Sequence, residues 1–402
     1  MRVAFIMPSL PFPEDIRAKA EVVALRDGGC EVSVLCHGEK SVACSGEAIG
    51  ASVERISYNP ILMKLCNVAL KMTSYRWHPL WSRRIRRFIA AGRFDVVHVE
   101  ELRPFFMAAR AAGKAGVPVS LDLREDYPEM EKGAMRSVSW RLFNSISKLE
   151  RIQRDACMKA DAVLVVSPMF VDVLHQRYPG VPRDKMVLVS NYADVDAIEK
   201  LMPQGAGVGE PATFTITYVG TIGTRDRGLE LAIEAMPRIR ESIAGAKLLL
   251  VGDGGYLPVL RRHVAGLGLH DVVEFRGWVD FEKVPDVILS STVCIVPSLN
   301  SSFECEMASP LKLFQYMLLE RPVVVSDCHE MKRIVEGSGA GLVFEAGDAQ
   351  GFADCVIALA DSDLRRSMGR NGRQAVLREF NFAGEGQRML ELYRSLAARG
   401  RG

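Results

Sequence analysis

The chain is expected to form an α/β protein of two Rossmann-like domains, and three observations in its 402 residues carry that expectation. Short apolar runs alternate with amphipathic helical stretches in both halves, the pattern of a doubly wound parallel sheet covered by helices. The rhythm breaks at residues 202–211 (MPQGAGVGEP), where Gly and Pro give linker chemistry. It restarts at residue 214 with a second series of apolar runs. Residues 1–200 therefore read as a first domain, 201–212 as a linker, 213–381 as a second domain and 382–402 as a terminal helix.

In the first half, residues 3–7 (VAFIM) read as a buried strand, 17–26 as a helix, and 30–36 as the next strand after Gly28-Gly29. A strand over 95–99, a helix over 104–115 and a strand over 117–122 follow. In the second half, strands are expected at 214–219, 247–251, 272–275, 293–296 and 322–326, with a last helix near 382–397. Near-continuous apolar runs suit parallel strands buried on both faces. Ligands of open α/β sheets sit beyond the carboxyl ends of the strands, so a deep interdomain cleft is expected there.

Composition narrows the class. At 48% hydrophobic and 25% charged, the chain can build two substantial cores. A net charge of +2 argues against a nucleic-acid partner for the whole molecule. The charge is uneven: residues 1–200 hold 29 basic and 24 acidic side chains (+5), leaving 22 and 25 (−3) for the rest. Nine cysteines without CxxC spacing suit a reducing cytoplasm better than a disulfide framework or a zinc site. The opening MRVAFIMPSLPFPED is too short in its apolar core for a signal peptide, and no run is long enough to span a membrane. A cytoplasmic protein is expected.

Two stretches carry phosphate chemistry. In TITYVGTIGTRDRGLELAIEAM (215–236), an apolar run ends in Gly220 and a loop with Thr221, Gly223, Arg225 and Arg227 leads into a helix. In VCIVPSLNSSFECEMASPLKLFQYMLLERPVVVSD (293–327), a strand opens into a polar loop, and Ser309-Pro310 starts a helix holding Lys312, Leu313 and Gln315. Helix N-termini present free N–H groups to anions, Arg adds a planar fork and Lys a point charge. Together the two stretches read as a diphosphate site. Gly252-Asp253-Gly254-Gly255 closes another strand toward it, although Gly-Asp-Gly is also turn chemistry. The competing reading of Arg225 and Arg227 is a solvated loop, and of Gln315 a surface residue.

The order YVGTIG, LLLVGDGG, VEFRGWV, CIVPS, SPLKLFQYM, RPVVVSD resembles the donor-binding half of GT-B glycosyltransferases, most closely the retaining group numbered family 4. VAFIMPSLPFPEDIRAKAEVVALRDGGCEVSVL, FDVVHVEELRPFFMAARAAGKAGVPVSLDLREDYPE and ADAVLVVSPMFVDVL extend the resemblance over nearly the whole chain. It implies a nucleotide-diphosphate sugar as donor, a saccharide or lipid-linked acceptor, retention of anomeric configuration, no metal or other cofactor, and a C-terminal helix crossing back to the first domain. Arg227 and Lys312 would then grip the donor diphosphate.

Positions in three motifs depart from the family pattern. Thr221 stands where an Arg is usual, with Arg225 nearby as substitute. Gln315 replaces a ribose-binding Glu, and Met307 its partner, leaving Glu304 and Glu306 as neighbours. In DLREDYPE (122–129), Arg124 replaces a His that lies beside the reacting sugar; it could stabilise a phosphate or acceptor anion, and Glu125 could act as acceptor-side base or pair with Arg124. Asp15, Arg17 and His98 fall on the acceptor side, where Asp15 also suits a helix N-cap and His98 a structural place. These departures keep open an epimerase or hydrolase on the same scaffold, or a catalytically silent nucleotide-sugar-binding subunit.

Residues 55–94 hold nine basic and no acidic side chains. From Pro79, a helix would place Trp81, Ile85 and Phe88 on one face, with Arg83, Arg84, Arg86 and Arg87 around it. Such a segment suits peripheral contact with an anionic bilayer. The alternative is an ordinary helix covering the sheet. Two DxD strings, 194–196 and 361–363, lie away from any donor-loop strand, so no metal is expected at them.

Overall fold

In the computed structural model, every strand pairing among the described residues is parallel, and these residues form two sheets of seven and six strands. The described residues are 1–8, 12, 14–38, 49–57, 60–132, 145–202 and 211–400, with backbone alone for 60–65. Pro13 and most of the expected linker lie outside them. One unit comprises Met1–Ser190 with Ala383–Gly402, the other Asn191–Phe382.

The first unit contains β1 (Arg2–Met7), β2 (Glu31–His37), β3 (Ser52–Ile56), β4 (Val96–Glu100), β5 (Val119–Leu123), β6 (Ala162–Val165) and β7 (Met186–Leu188). Their spatial order, β3-β2-β1-β4-β5-β6-β7, puts the reversal of winding between β1 and β4. In β4 and β5 every residue is buried, including His98, Glu100 and Asp122. A polar group at such a position needs a partner. Helices α1 (Ile16–Asp27), α2 (Pro60–Met72), α3 (Trp81–Gly92), α4 (Leu102–Ala115) and α5 (Ile146–Lys159) surround the sheet. Asp15 caps α1 by accepting from Ala18 N at 2.9 Å, and Ser145 caps α5 by accepting from Lys148 N at 3.1 Å.

Helix α3 corrects one expectation. Trp81, Ile85 and Ile89 are 3%, 0% and 2% exposed, and the helix packs on α4. Trp81 is therefore core, because α4 already claims the apolar face that a bilayer would have taken. Arg83, Arg84, Arg86 and Arg87 are exposed as expected. No helix among the described residues is long and apolar enough to cross a membrane.

The second unit orders its strands β10-β9-β8-β11-β12-β13, from β8 (Thr215–Val219), β9 (Lys247–Val251), β10 (Val273–Gly277), β11 (Val293–Val296), β12 (Val323–Ser326) and β13 (Gly341–Phe344). Here the winding reverses between β8 and β11. Helices α6 (Leu229–Glu234) and α7 (Leu311–Leu318) follow those two strands. Leu313, Phe314, Met317 and Leu318 of α7 are fully buried in one core with Val323 and Val325. Each such side chain contributes roughly 1.5–3 kcal/mol of burial.

Residues 191–200 belong to the second unit rather than the first. Tyr192 packs its ring 5.1 Å from Phe314 and 5.4 Å from Phe380, and Ala193 bridges to Asn381. The last helix, Phe382–Gly400, joins the first unit's core through Met389, Leu390, Tyr393 and Leu396.

Candidate active site

The carboxyl ends of β8 and β11 are shaped by glycines that nothing larger could replace. Gly220 adopts φ 148° and donates to Val251 O at 2.9 Å. Gly252, at φ 133°, lies so close beneath it that a Cβ there would fall 1.9 Å from Gly220 O. Ile222 N donates to Asp253 O at 2.8 Å, which ties the loop after β8 to the one after β9. Asp253 itself accepts from Gly254 N at 2.7 Å, its expected turn role. Gly228, at φ 67°, brings the start of α6 against β11; a Cβ there would meet Pro297 O at 1.7 Å.

Onto this frame α7 delivers Lys312. Its Nζ donates to the Tyr218 hydroxyl at 2.8 Å and stands 4.0 Å above that ring. Tyr218 in turn donates to Thr221 O at 3.0 Å, and the Lys312 ammonium abuts the face of Gly220 that lacks a side chain. Burial, with the nearby Arg227 charge pushing the same way, lowers the Lys312 pKa to about 7. The two sequence-predicted cations thus share one neighbourhood. Arg227 is exposed, and among the described residues no carboxylate pairs with either of them. Like charges held together without a counterion form a site for an anion.

Other predicted donor-side residues divide. Arg225 turns to Glu230, 3.1 Å away, which also accepts from the Tyr256 hydroxyl, so its charge is locally met. Asp226 binds the loop after β11 through Ser301 Oγ at 2.8 Å and Leu299 N at 2.9 Å, fixing the turn that carries Arg227. Ser309 is buried, Pro310 is the residue preceding α7, and Leu313 is wholly core. Gln315 is 8% exposed, which excludes the surface reading. Glu306 accepts from His329 N at 2.7 Å and serves as a helix cap instead of a substitute ribose acceptor. Tyr218 and Tyr316 escaped the sequence reading; the Tyr316 hydroxyl accepts from Val219 N at 2.8 Å and pins α7 to β8.

In the first unit, the residues expected on the acceptor side form a buried ion cluster at the β1/β4 reversal. Arg124 donates from Nε to Asp122 at 3.0 Å, from Nη1 to Asp15 at 2.8 Å and from Nη2 to Glu100 at 2.5 Å. Arg17 donates to Glu21 at 2.8 Å, to Asp122 at 3.3 Å and to Val189 O at 3.0 Å. Burial raises Glu21 to about 7 and Glu100 well above the carboxylate range. Burial also pushes Asp122 upward, but Arg17 and Arg124 outweigh it and hold this carboxyl low. His98 is neutral, since burial lowers it to about 3; its ring stacks on Phe5 at 4.1 Å, and Nδ1 bonds the Tyr393 hydroxyl.

This geometry reassigns Arg124. Each of its three nitrogens already serves a carboxylate, so it neutralises strand ends where a substrate contact was expected. Asp126 likewise pairs with Arg177 at 2.7 Å. Glu125 alone in that block is exposed, with packing around its carboxyl and the charge of Glu101 raising its pKa. It makes no ion pair with Arg124, whose partners are Asp15, Glu21, Glu100 and Asp122. Ligand atoms of Glu21, His98, Glu100 and Asp122 lie within 4.8 Å of one another, yet the two guanidinium groups supply the cationic charge there. Asp194 and Asp361 of the DxD strings act as helix caps.

Comparison with known proteins agrees with this layout. Residues 213–362 match the family described as glycosyl transferases group 1, and residues 16–192 match the glycosyl transferase 4-like domain. The chain is 23% identical over 412 residues to a phosphatidyl-myo-inositol mannosyltransferase of Mycobacterium leprae, covering 100% of this chain and 98% of that protein. It is 23% identical over 314 residues to an Escherichia coli UDP-Gal:alpha-D-GlcNAc-diphosphoundecaprenol alpha-1,3-galactosyltransferase, covering 75% of each. Among solved structures, HepE of Anabaena in complex with UDP superposes with a TM-score of 0.73 at 17% identity, over 98% of this chain and 100% of that one.

Proposed function

The chain is a glycosyltransferase of the GT-B fold, belonging with the group 1 glycosyl transferases, and we propose that it moves a sugar from a nucleotide-diphosphate donor to a lipid-linked or saccharide acceptor. One observation carries the reading: Lys312 and Arg227 stand together, without a carboxylate partner among the described residues, at the winding reversal of the second sheet. A diphosphate leaving group develops negative charge as the glycosidic bond to it breaks. Two cations fixed in advance stabilise that charge without reorganising. Gly220 leaves room for an anion to approach Lys312, and buried Gln315, one turn along α7, offers an amide to a donor hydroxyl.

The reaction is proposed to retain anomeric configuration and to need no resident metal, because Lys312 and Arg227 can do the charge work of a divalent ion. Glu125 is the proposed acceptor-side base. The acceptor class rests on the relatives, one named for phosphatidyl-myo-inositol and another for a diphosphoundecaprenol-linked sugar. Glycolipid or surface-polysaccharide synthesis follows from that class. Contact with an anionic membrane is proposed through Arg83, Arg84, Arg86 and Arg87, each contributing about 1 kcal/mol near such a surface. Incubation with UDP-, GDP- and CDP-sugars plus a diphosphoprenol-linked saccharide, with NMR of the product linkage, tests the reading. An α-linked product from an α-linked donor supports it, whereas free sugar alone at the same rate with and without acceptor counts against it.

A further inference from the structure

A second cationic hollow lies on the first unit, away from every residue discussed as donor or acceptor site. Its volume is about 840 Å³, and α4 and α5 form its walls. Phe106, Arg110 and Lys114 recur at four-residue spacing along α4, so they share one face. Arg154 and Lys159 enter from α5, and Arg76 closes the top from the turn after α2. The lining holds these five cations against one carboxylate, Asp155. That carboxylate is already held by Arg76 at 3.3 Å and Arg154 at 3.0 Å. Arg110, Lys114 and Lys159 are exposed and have no acidic partner among the described residues.

The position of Arg76 is built into the backbone. Ser74 and Tyr75 both take left-handed conformations, φ 49° and 61°, a costly pairing for residues with side chains. Tyr75 compensates by burying all but 1% of its surface, and Thr73 Oγ1 closes the turn by accepting from Trp77 N at 3.2 Å. The turn lays the Arg76 guanidinium 4.9 Å over the Phe106 ring and leaves Trp77 47% exposed. Lys148 on α5 donates to Lys71 O at 2.7 Å, which keeps the end of α2 alongside α5. Of eight large apolar side chains exposed among the described residues, Met158 lines the hollow, Trp77 follows Arg76 in the turn, and Val68 and Met72 lie on the last turns of α2.

We propose that this hollow binds the phosphate of an anionic phospholipid head group, with Trp77, Met72 and Met158 meeting its acyl region. Unpaired cations in a concave site select phosphate. The Met158 thioether in the lining, with the exposed Trp77 indole next in sequence to Arg76 and exposed Met72 at the end of α2, selects the amphiphile over a free phosphate ion. The inference rests on the membrane reading above and gives it a discrete site on α4, the helix against which α3 packs.

The test separates the two ideas. Wild-type protein, an Arg110→Ala/Lys114→Ala/Lys159→Ala variant and an Arg83→Ala/Arg84→Ala/Arg86→Ala/Arg87→Ala variant are titrated calorimetrically with dihexanoyl phosphatidylglycerol below its micelle concentration. Inorganic phosphate serves as the comparison ligand, vesicle flotation with phosphatidylglycerol reports membrane binding, and melting curves confirm folding. Expected are saturable one-to-one binding of the short-chain lipid, about a hundredfold loss in the first variant, little change in the second, and phosphate binding at least about tenfold weaker. Equal lipid binding by the first variant, or phosphate binding as tightly as lipid, overturns the proposal. Flotation of wild type without any short-chain lipid binding overturns the site and spares the membrane reading; no flotation and no lipid binding overturns both.

Discussion

Lys312 donates to the hydroxyl of Tyr218 at 2.8 Å while its ammonium stands 4.0 Å over the same ring. The tyrosine thus holds the cation in place without neutralising it. A carboxylate in that position would have consumed the charge a diphosphate needs.

The first prediction concerns protons. Burial lowers Lys312 to about 7, and a bound diphosphate favours the charged form. Donor binding should therefore take up protons at and above pH 7, and affinity should fall as pH rises through that range. Calorimetry in two buffers of different ionisation enthalpy measures the uptake, which Lys312→Met should abolish. The same depressed pKa makes the unfolded chain bind more protons between about pH 7 and 10, so in the apo protein this lysine's contribution to stability rises with pH there.

Tyr218→Phe keeps the ring but removes both the acceptor for Lys312 and the donor to Thr221 O. A loss of about 1 kcal/mol in donor affinity is expected, with secondary structure unchanged by circular dichroism. Unaltered donor affinity would show that the hydroxyl does not position the lysine.

Gly252→Ala would force a Cβ to 1.9 Å from Gly220 O at φ 133°. Both the clash and the backbone region oppose it, so a destabilisation of more than about 3 kcal/mol is expected in urea unfolding. A variant with the wild-type midpoint would contradict the close approach of these two loops.

Arg124→Leu removes one of the two guanidinium groups that hold the buried Asp122 charged and should cost about 3–5 kcal/mol. Glu21→Gln behaves differently. Because burial raises Glu21 to about 7, the stability it contributes is fully present below about pH 4.5 and lost as pH rises through 7. The Gln variant should lack that decline, measurable as denaturation midpoints from pH 4.5 to 8.

Trp81→Ala should destabilise the first unit by about 3–5 kcal/mol through a core cavity, while replacing the four exposed arginines of α3 should weaken vesicle flotation and leave melting nearly unchanged. The reverse outcome would mean that Trp81 meets lipid after all.

Much of the architecture was legible because parallel strands buried on both faces leave continuous apolar runs, and β1, β9 and β11 are such runs. The donor-side cations were legible because Gly220, Gly228 and the Ser309-Pro310 corner place them by local chain geometry. Arg124 was not, since its partners Asp15 and Glu100 come from other parts of the chain and only the β1/β4 reversal gathers them. Trp81 misled for a related reason: an amphipathic cationic helix has the same pattern whether α4 or a bilayer covers its apolar side. Tyr218 reads as one more aromatic in a strand, and only its hydroxyl's contact with Lys312 shows its use.

Calorimetric binding of UDP, GDP and CDP to wild type, Lys312→Ala, Arg227→Ala and the double variant tests the central claim most directly. At least one diphosphate should bind, each single change should weaken it about tenfold or more, and the double variant should depart from additivity. A diphosphate bound as tightly by the double variant as by wild type would contradict the claim.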